Sequence, residues 1–145
     1  MIRDINEKLI DLFESQVASY LAEVDYERDD KTPTPKNITS GATKNMFPEV
    51  FIDTNQVEFE YITLGSKPDY IYTIEITIML KTNEKDKIEG WCSNYIEAIY
   101  RMIEENKLEG VTNQYLENAN IIDLNTKDSV YYKAVGIVMK IREGE

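Results

Sequence analysis

The sequence predicts an α+β domain: an antiparallel sheet with two long helices packed on one face, plus a β-hairpin and a long flexible loop. Three observations predict it. Two stretches, Asp4–Val24 and Glu84–Lys107, carry apolar residues at three- and four-residue steps, the period of one helical face. Two others, Tyr70–Leu80 and Val130–Ile141, alternate with a period of two. In the first of these Tyr70, Tyr72, Ile74, Ile76, Ile78 and Leu80 share one face. Thr73, Glu75, Thr77 and Lys81 share the other with Ile71 and Met79. One packed side and one mostly polar side fits an antiparallel sheet, whereas a doubly wound parallel sheet requires near-continuous apolar runs. At 145 residues the chain forms a single domain, residues 1–145, and a domain of that size buries roughly 70% of the surface its unfolded chain exposes.

The first helix has Ile5, Leu9, Leu12, Phe13, Gln16, Val17, Tyr20, Leu21 and Val24 on its stripe, and Asp4 with Glu7 makes a capping-box start. It runs into Asp25, Glu27, Asp29 and Asp30. Negative charge at a helix C-terminus opposes the macrodipole, so the helix is expected to end there. In residues 31–47, Thr32-Pro33-Thr34-Pro35 forbids helix and Ser40-Gly41-Ala42 adds freedom. A loop of that length in a compact domain is usually functional or mobile, and this one is expected to be a flexible arm that contacts a partner.

A hairpin follows. Val50, Ile52 and Thr54 alternate with Phe51 and Asp53, then Val57, Phe59 and Tyr61 alternate with Glu58 and Glu60. A two-residue turn at Asn55-Gln56 would set Ile52 against Phe59 and Val50 against Tyr61. Gly65 to Asp69 reads as a turn into the strand Tyr70–Leu80. The second helix is expected to be capped by Asn83, with Asp86 three residues on and Gly110 just past its end. Its buried stripe is Ile88, Trp91, Cys92, Tyr95, Ile96, Ile99, Met102 and Ile103, and Lys85, Lys87, Glu97, Arg101, Glu104 and Glu105 face outward. Tyr115–Leu124 is the next strand, then a turn at Asn125-Thr126-Lys127-Asp128. In the last strand Tyr131, Val135, Ile137, Met139 and Ile141 share one face, while Val130, Tyr132, Ala134 and Val138 make the other apolar too. A strand apolar on both sides needs cover on both sides, and a loop or a neighbouring subunit can supply the second.

Composition narrows function. There is no histidine and only one cysteine, Cys92, so neither a Ser-His-Asp nor a Cys-His nucleophile can be built, nor a His-containing zinc site. With 27 acidic against 16 basic residues the formal charge is −11, and no basic cluster is present of the kind that grips phosphates. Nucleic acid and anionic membranes are therefore unexpected partners. No run approaches the ~18 apolar residues of a membrane span. The start, Met1-Ile2-Arg3-Asp4, enters the helical pattern directly, so a cytoplasmic site of synthesis is expected.

The chemistry-bearing patterns are weak. Asp25, Glu27 and Asp29 have the spacing that opens a calcium loop, but Asp30 stands where glycine belongs and Lys36 where glutamate belongs. A solvated helix end explains them better. Asn37-Ile38-Thr39 is a glycosylation sequon, which matters only in a secreted chain. Gly41 and Gly65 are isolated, so no phosphate-cradling loop is present. Glu58 and Glu60, two apart on one strand face, could be paired carboxylates, but no pocket-forming partners are visible and an exposed sheet face is the simpler reading; Glu75 is a separate candidate for a carboxylate-based site. Trp91, Tyr95 and Cys92 read as core, and Cys92 lacks an activating base. Tyr70, Tyr72, Tyr131 and Tyr132 cluster at strand starts, suited either to an interface or to the core. The expectation is no enzyme, with no catalytic, cofactor-binding or metal-ligating residue.

The order of elements, carried by "YIYTIEITIML", "NEKDKIEGWCSNYIEAIYRMIEENK" and "VYYKAVGIVMKI", resembles the tail terminator, or tail-completion, proteins of tailed bacteriophages. The resemblance implies a homo-oligomer, usually a hexameric ring, that caps the tail tube and joins it to the neck. It implies tail tube and neck connector proteins as partners, and DNA passing through the lumen without specific binding. It also implies a place in the virion tail or neck, after assembly in the host cytoplasm. A head-closure or neck connector protein is the alternative, and a small ligand-binding or carboxylate-dependent enzyme domain the further one.

Overall fold

The computed structural model describes residues 2–41, 43–124 and 128–144. Two helices, α1 (Ile2–Arg28) and α2 (Lys85–Glu105), lie on one face of a five-stranded sheet. Its strands are β1 (Asn37–Thr39), β2 (Glu49–Glu60), β3 (Asp69–Thr82), β4 (Asn113–Asp123) and β5 (Tyr131–Glu143), in the order β1-β2-β3-β5-β4. The expected α+β class and one-sided helix layer are what the structure shows. All pairings are antiparallel except β1 with β2, which is parallel.

The core is the meeting of three periodicities. Ile5, Leu9, Phe13, Val17, Leu21 and Val24 descend α1 at helical steps and are buried. On α2 the buried set is Ile88, Cys92, Asn94, Tyr95, Ala98, Ile99, Met102 and Ile103. Alternate strand residues meet them: Ile52 pairs with Ile76, and Ile76 with Ile137, all fully buried. α1 lies over β1 and β2, and α2 over β3, β5 and β4. Trp91 and Ile96, expected on the stripe of α2, are only partly buried.

Several boundaries differ from the sequence reading. α1 begins at Ile2, so Asp4 sits inside the first turn rather than at the cap, where its charge still favours the helix N-terminus. It ends at Arg28, within the acidic run where the end was expected, with Glu27 paired to Arg101 and Asp25 accepting the backbone N–H and hydroxyl of Thr32. Glu84, not Asn83, precedes α2, and its side chain makes no cap hydrogen bond. Gly110 does not end α2. Gln114 closes it instead, donating to the carbonyls of Ile103 and Asn106 while accepting from the Leu108 N–H, which satisfies carbonyls a helix end otherwise leaves orphaned.

The hairpin turn expected at Asn55-Gln56 is absent. β2 runs unbroken from Glu49 to Glu60, and the pairing with β3 shifts between Thr54 and Gln56. Asn55 is the extra residue of a bulge. With strict alternation, Val50 and Ile52 would share a face with Gln56, Glu58 and Glu60; one additional residue reverses the phase and returns Val57 and Phe59 to the helix side, opposite Tyr72 and Tyr70. The hairpin that exists joins β2 to β3 through residues 61–68.

The expected arm at 31–47 carries β1 and several anchors. Tyr95 donates its hydroxyl to the Pro33 carbonyl, and the Lys36 N–H donates to the Pro48 carbonyl. The expected turn at Asn125-Thr126-Lys127 lies outside the described residues, as does Ala42 of the arm.

Candidate assembly surfaces

The sequence-singled carboxylates do not converge. Asp25 is held by Thr32 and Glu27 by Arg101, and Asp29 has a left-handed backbone at the helix end (φ 52°). Glu60 pairs with Arg142, Glu58 accepts from Gln56, and Glu75 accepts from Asn55. Among the described residues no group of three acidic or cysteine side chains is arranged to hold a metal ion. Cys92 is fully buried, and desolvation pushes its thiol up to about 11 against a smaller opposing pull from Lys133. A cleft of about 720 Å³ lies between the start of α2 and the ends of β4 and β5. Lys133 within it is already paired with Asp123 and Glu89.

The four tyrosines separate to opposite ends of the sheet. Tyr72 is buried and donates to Glu143; burial first, then that carboxylate, pushes its hydroxyl up to about 12. Tyr70 packs edge-on against Phe59 at the same end. At the other end Tyr132 packs edge-on against Phe47, and Lys81 and Lys85 lie over the rings of Phe47 and Tyr131.

The sheet face turned away from the helices is the less covered of the two. Register places Phe51, Thr77, Gly136 and Asn120 in one row across it, and Met79, Ala134 and Ile122 in the next. Among the described residues no helix lies over this face, but the segment before β2 covers one side of it: Glu49, in the row of Met79, is fully buried under Thr43 and Lys44, and Phe47 packs on Tyr132. Ala134 is 4% exposed there, in the row between Met79 and Ile122, and Ile122 is 48% exposed. Part of the second cover that β5 needs comes from within the chain, since the loop residue Phe47 packs on Tyr132 and Ala134 is buried. A second surface was missed: the β2–β3 loop exposes Tyr61, Ile62 and Leu64 at 67%, 70% and 103%. The signal for it was the apolar run before Gly65, which the misplaced turn absorbed into a strand end.

No family model and no curated protein matches the chain. Among solved structures 24 chains are similar. One belongs to a structure described as the virion of a native gene transfer agent particle, with a TM-score of 0.47 and 7% identity over 88% of this chain and 91% of that chain. Among the described residues no helix is long and apolar enough to cross a membrane.

Proposed function

We propose that this chain is a structural virion protein without catalytic activity, which assembles into a ring that terminates a phage tail tube and joins it to the neck. The observation that carries the reading is the sheet face turned away from the helices, where Ile122 is 48% exposed and Phe51 and Met79 are half-buried around the buried Ala134. An apolar row of that kind marks an interaction surface. The order of elements resembles the tail terminators, and the net charge of −11 suits a ring through which DNA slides without adhering. The scattered carboxylates, each held by a different neighbour, and the sequestered thiol support a non-catalytic role.

Electron microscopy of the purified chain, alone and with tail tubes, tests this. The expected result is rings with a central hole that seat on tube ends. A protein that stays monomeric and never joins a tube would overturn it, and rings that seat on portal-side connectors instead would favour a head-closure role.

A further inference from the structure

Among the described residues Glu49 is the only acidic residue that is buried. A buried charge is tolerated only where its surroundings supply hydrogen bonds. Here they come from one short stretch of chain. Asn37 of β1 donates its side-chain amide to Oε2 at 2.6 Å, the Lys44 N–H donates to the same oxygen at 2.8 Å, and the Thr43 hydroxyl donates to Oε1. The Asn45 N–H donates in turn to the Thr43 hydroxyl oxygen. Asn45 makes the turn with a left-handed backbone (φ 54°), which asparagine tolerates better than most residues.

Residues 43–47 have few other anchors. None of them makes a backbone–backbone hydrogen bond to another described residue, and residues 43–46 are exposed. The base of the loop is fixed separately: Asn37, Ile38 and Thr39 pair with Glu49, Val50 and Phe51, and the Lys36 N–H donates to the Pro48 carbonyl. At the far end Phe47 reaches onto the sheet face turned away from the helices. It packs edge-on against Tyr132, with ring centroids 6.0 Å apart, and lies under Lys81. The stretch is a strap fastened at two points, the Glu49 carboxylate and the corner formed by Tyr132 and Lys81.

We propose that residues 43–47 are a releasable strap over this sheet face, kept seated by the charge on Glu49 and freed as one unit when that charge is lost. Release lifts Phe47 from Tyr132 and bares the adjoining row of Met79, Ala134 and Ile122. The apolar area open to a partner then grows, so the strap regulates this face whatever the chain assembles into. Burial pushes the Glu49 carboxyl up, but the Thr43, Lys44 and Asn37 donors and the Lys44 charge outweigh it and hold the group below 4.5. The seating is therefore strongest above pH 4.5 and is lost as pH falls through the folded value. The charges on the surrounding elements are Lys44 on the strap, Lys81 one row along on β3, and Asp53 and Glu75 two rows the other way. Glu75 is engaged by Asn55, β1 carries no charged side chain, and β5 presents Tyr132.

Native-state hydrogen exchange of the full chain in low urea, read by NMR, tests the strap. The Lys44 and Asn45 amides should share one opening free energy, smaller than that of Ile76 and Ile137 and independent of urea, as a local opening requires. In Glu49→Gln both amides should lose protection together by about tenfold or more, the scale of one hydrogen bond to a charged acceptor. Thr43→Val removes a donor at an exposed position and should lower Lys44 protection too, so the latch is read even where Glu49→Gln fails to fold. In wild type the Phe47–Tyr132 ring contact, followed as an NOE, should vanish in one acid step below pH 4.5 while core resonances persist. In Glu49→Gln it should already be weakened at pH 7. Exchange of Lys44 and Asn45 that follows urea in step with Ile76 overturns the strap as a separate unit. Unchanged protection in both variants overturns Glu49 as its latch. A ring contact that survives the titration of Glu49, or disappears only with the core resonances, overturns the release.

Discussion

Asn94 on α2 donates its amide to the hydroxyl of Thr32 at 2.8 Å, and the two residues, 62 apart in sequence, are both buried. The same amide donates to Asp30, its oxygen accepts from Arg28, and the Thr32 hydroxyl in turn donates to Asp25. One buried side chain thus ties the end of α1, the start of the proline segment and the middle of α2. Low dielectric strengthens such a network when it is complete and makes a missing member costly.

Asn94→Ala leaves the Arg28 and Asp30 groups short of a partner in a partly buried site. The loss should be about 1–3 kcal/mol, the usual cost of an unsatisfied buried polar group. Urea unfolding should show a lower midpoint with an unchanged slope. An unchanged midpoint would mean the network contributes orientation but no stability.

Glu49 is fully buried at the head of β2, where its carboxylate accepts from the Asn37 amide, the Thr43 hydroxyl and the Lys44 N–H. Burial alone would raise its pKa, but those three donors and the Lys44 charge outweigh it and hold the carboxyl below its ordinary 4.5. A depressed folded value means the stabilisation is fully present above pH 4.5 and is lost as pH falls through the folded value. Glu49→Gln should cost about 1.5–3 kcal/mol at neutral pH, the scale of hydrogen bonds to a charged group. The gap between wild type and variant should narrow below pH 4.5 in parallel denaturation series. A gap that stays constant down to pH 3 would show that the carboxylate charge is not what the 37–45 segment is built around.

Much of this fold is written in periodicity. Most of the α1 stripe and the alternation of Tyr72 to Leu80 are buried as their spacing requires, because apolar side chains at those steps have only one dry place to go, while Leu12 and Gln16 at the margin of the stripe are half-buried. The two-sided character of β5 is met in part within the chain, where Phe47 packs on Tyr132 and Ala134 is buried. What periodicity could not show is where polar groups are buried: Asn94 interrupts an apolar stripe, and its reason for burial lies in Thr32 and Asp30, far away in sequence. Nor could it separate a turn from a bulge at Asn55, since both are ways of accommodating one residue out of phase. That ambiguity displaced the hairpin and hid the exposed run Tyr61 to Leu64.

Deleting Asn55 distinguishes the two. Thr54 pairs with Ile74 and Gln56 with Thr73, so removal of the residue between them leaves a regular ladder with Val57 still opposite Tyr72. The deletion also removes the hydrogen bond that the Asn55 amide donates to the Glu75 carboxylate, which is exposed to solvent. It should therefore change unfolding free energy by no more than about 1 kcal/mol, close to the range of exposed substitutions. If Asn55 were part of a two-residue turn, the deletion would destroy the hairpin, and the protein would be destabilised by several times that.

Cys92 tests how closed the core is. It lies on the buried face of α2, fully excluded from solvent, and burial pushes its thiol from 9.0 up to about 11. A shift of that size leaves about a hundredfold less thiolate than an ordinary cysteine at the same pH, and thiolate is the reactive form. A disulfide-exchange reagent at pH 8 should leave the native protein unlabelled and label it completely in denaturant. At intermediate denaturant the labelling rate should follow the opening of the helix–sheet core, because no smaller motion brings the sulfur to solvent. Rapid labelling without denaturant would instead show that α2 lifts from the sheet locally. The rigid sheet platform on which the proposed assembly depends would then have to be abandoned.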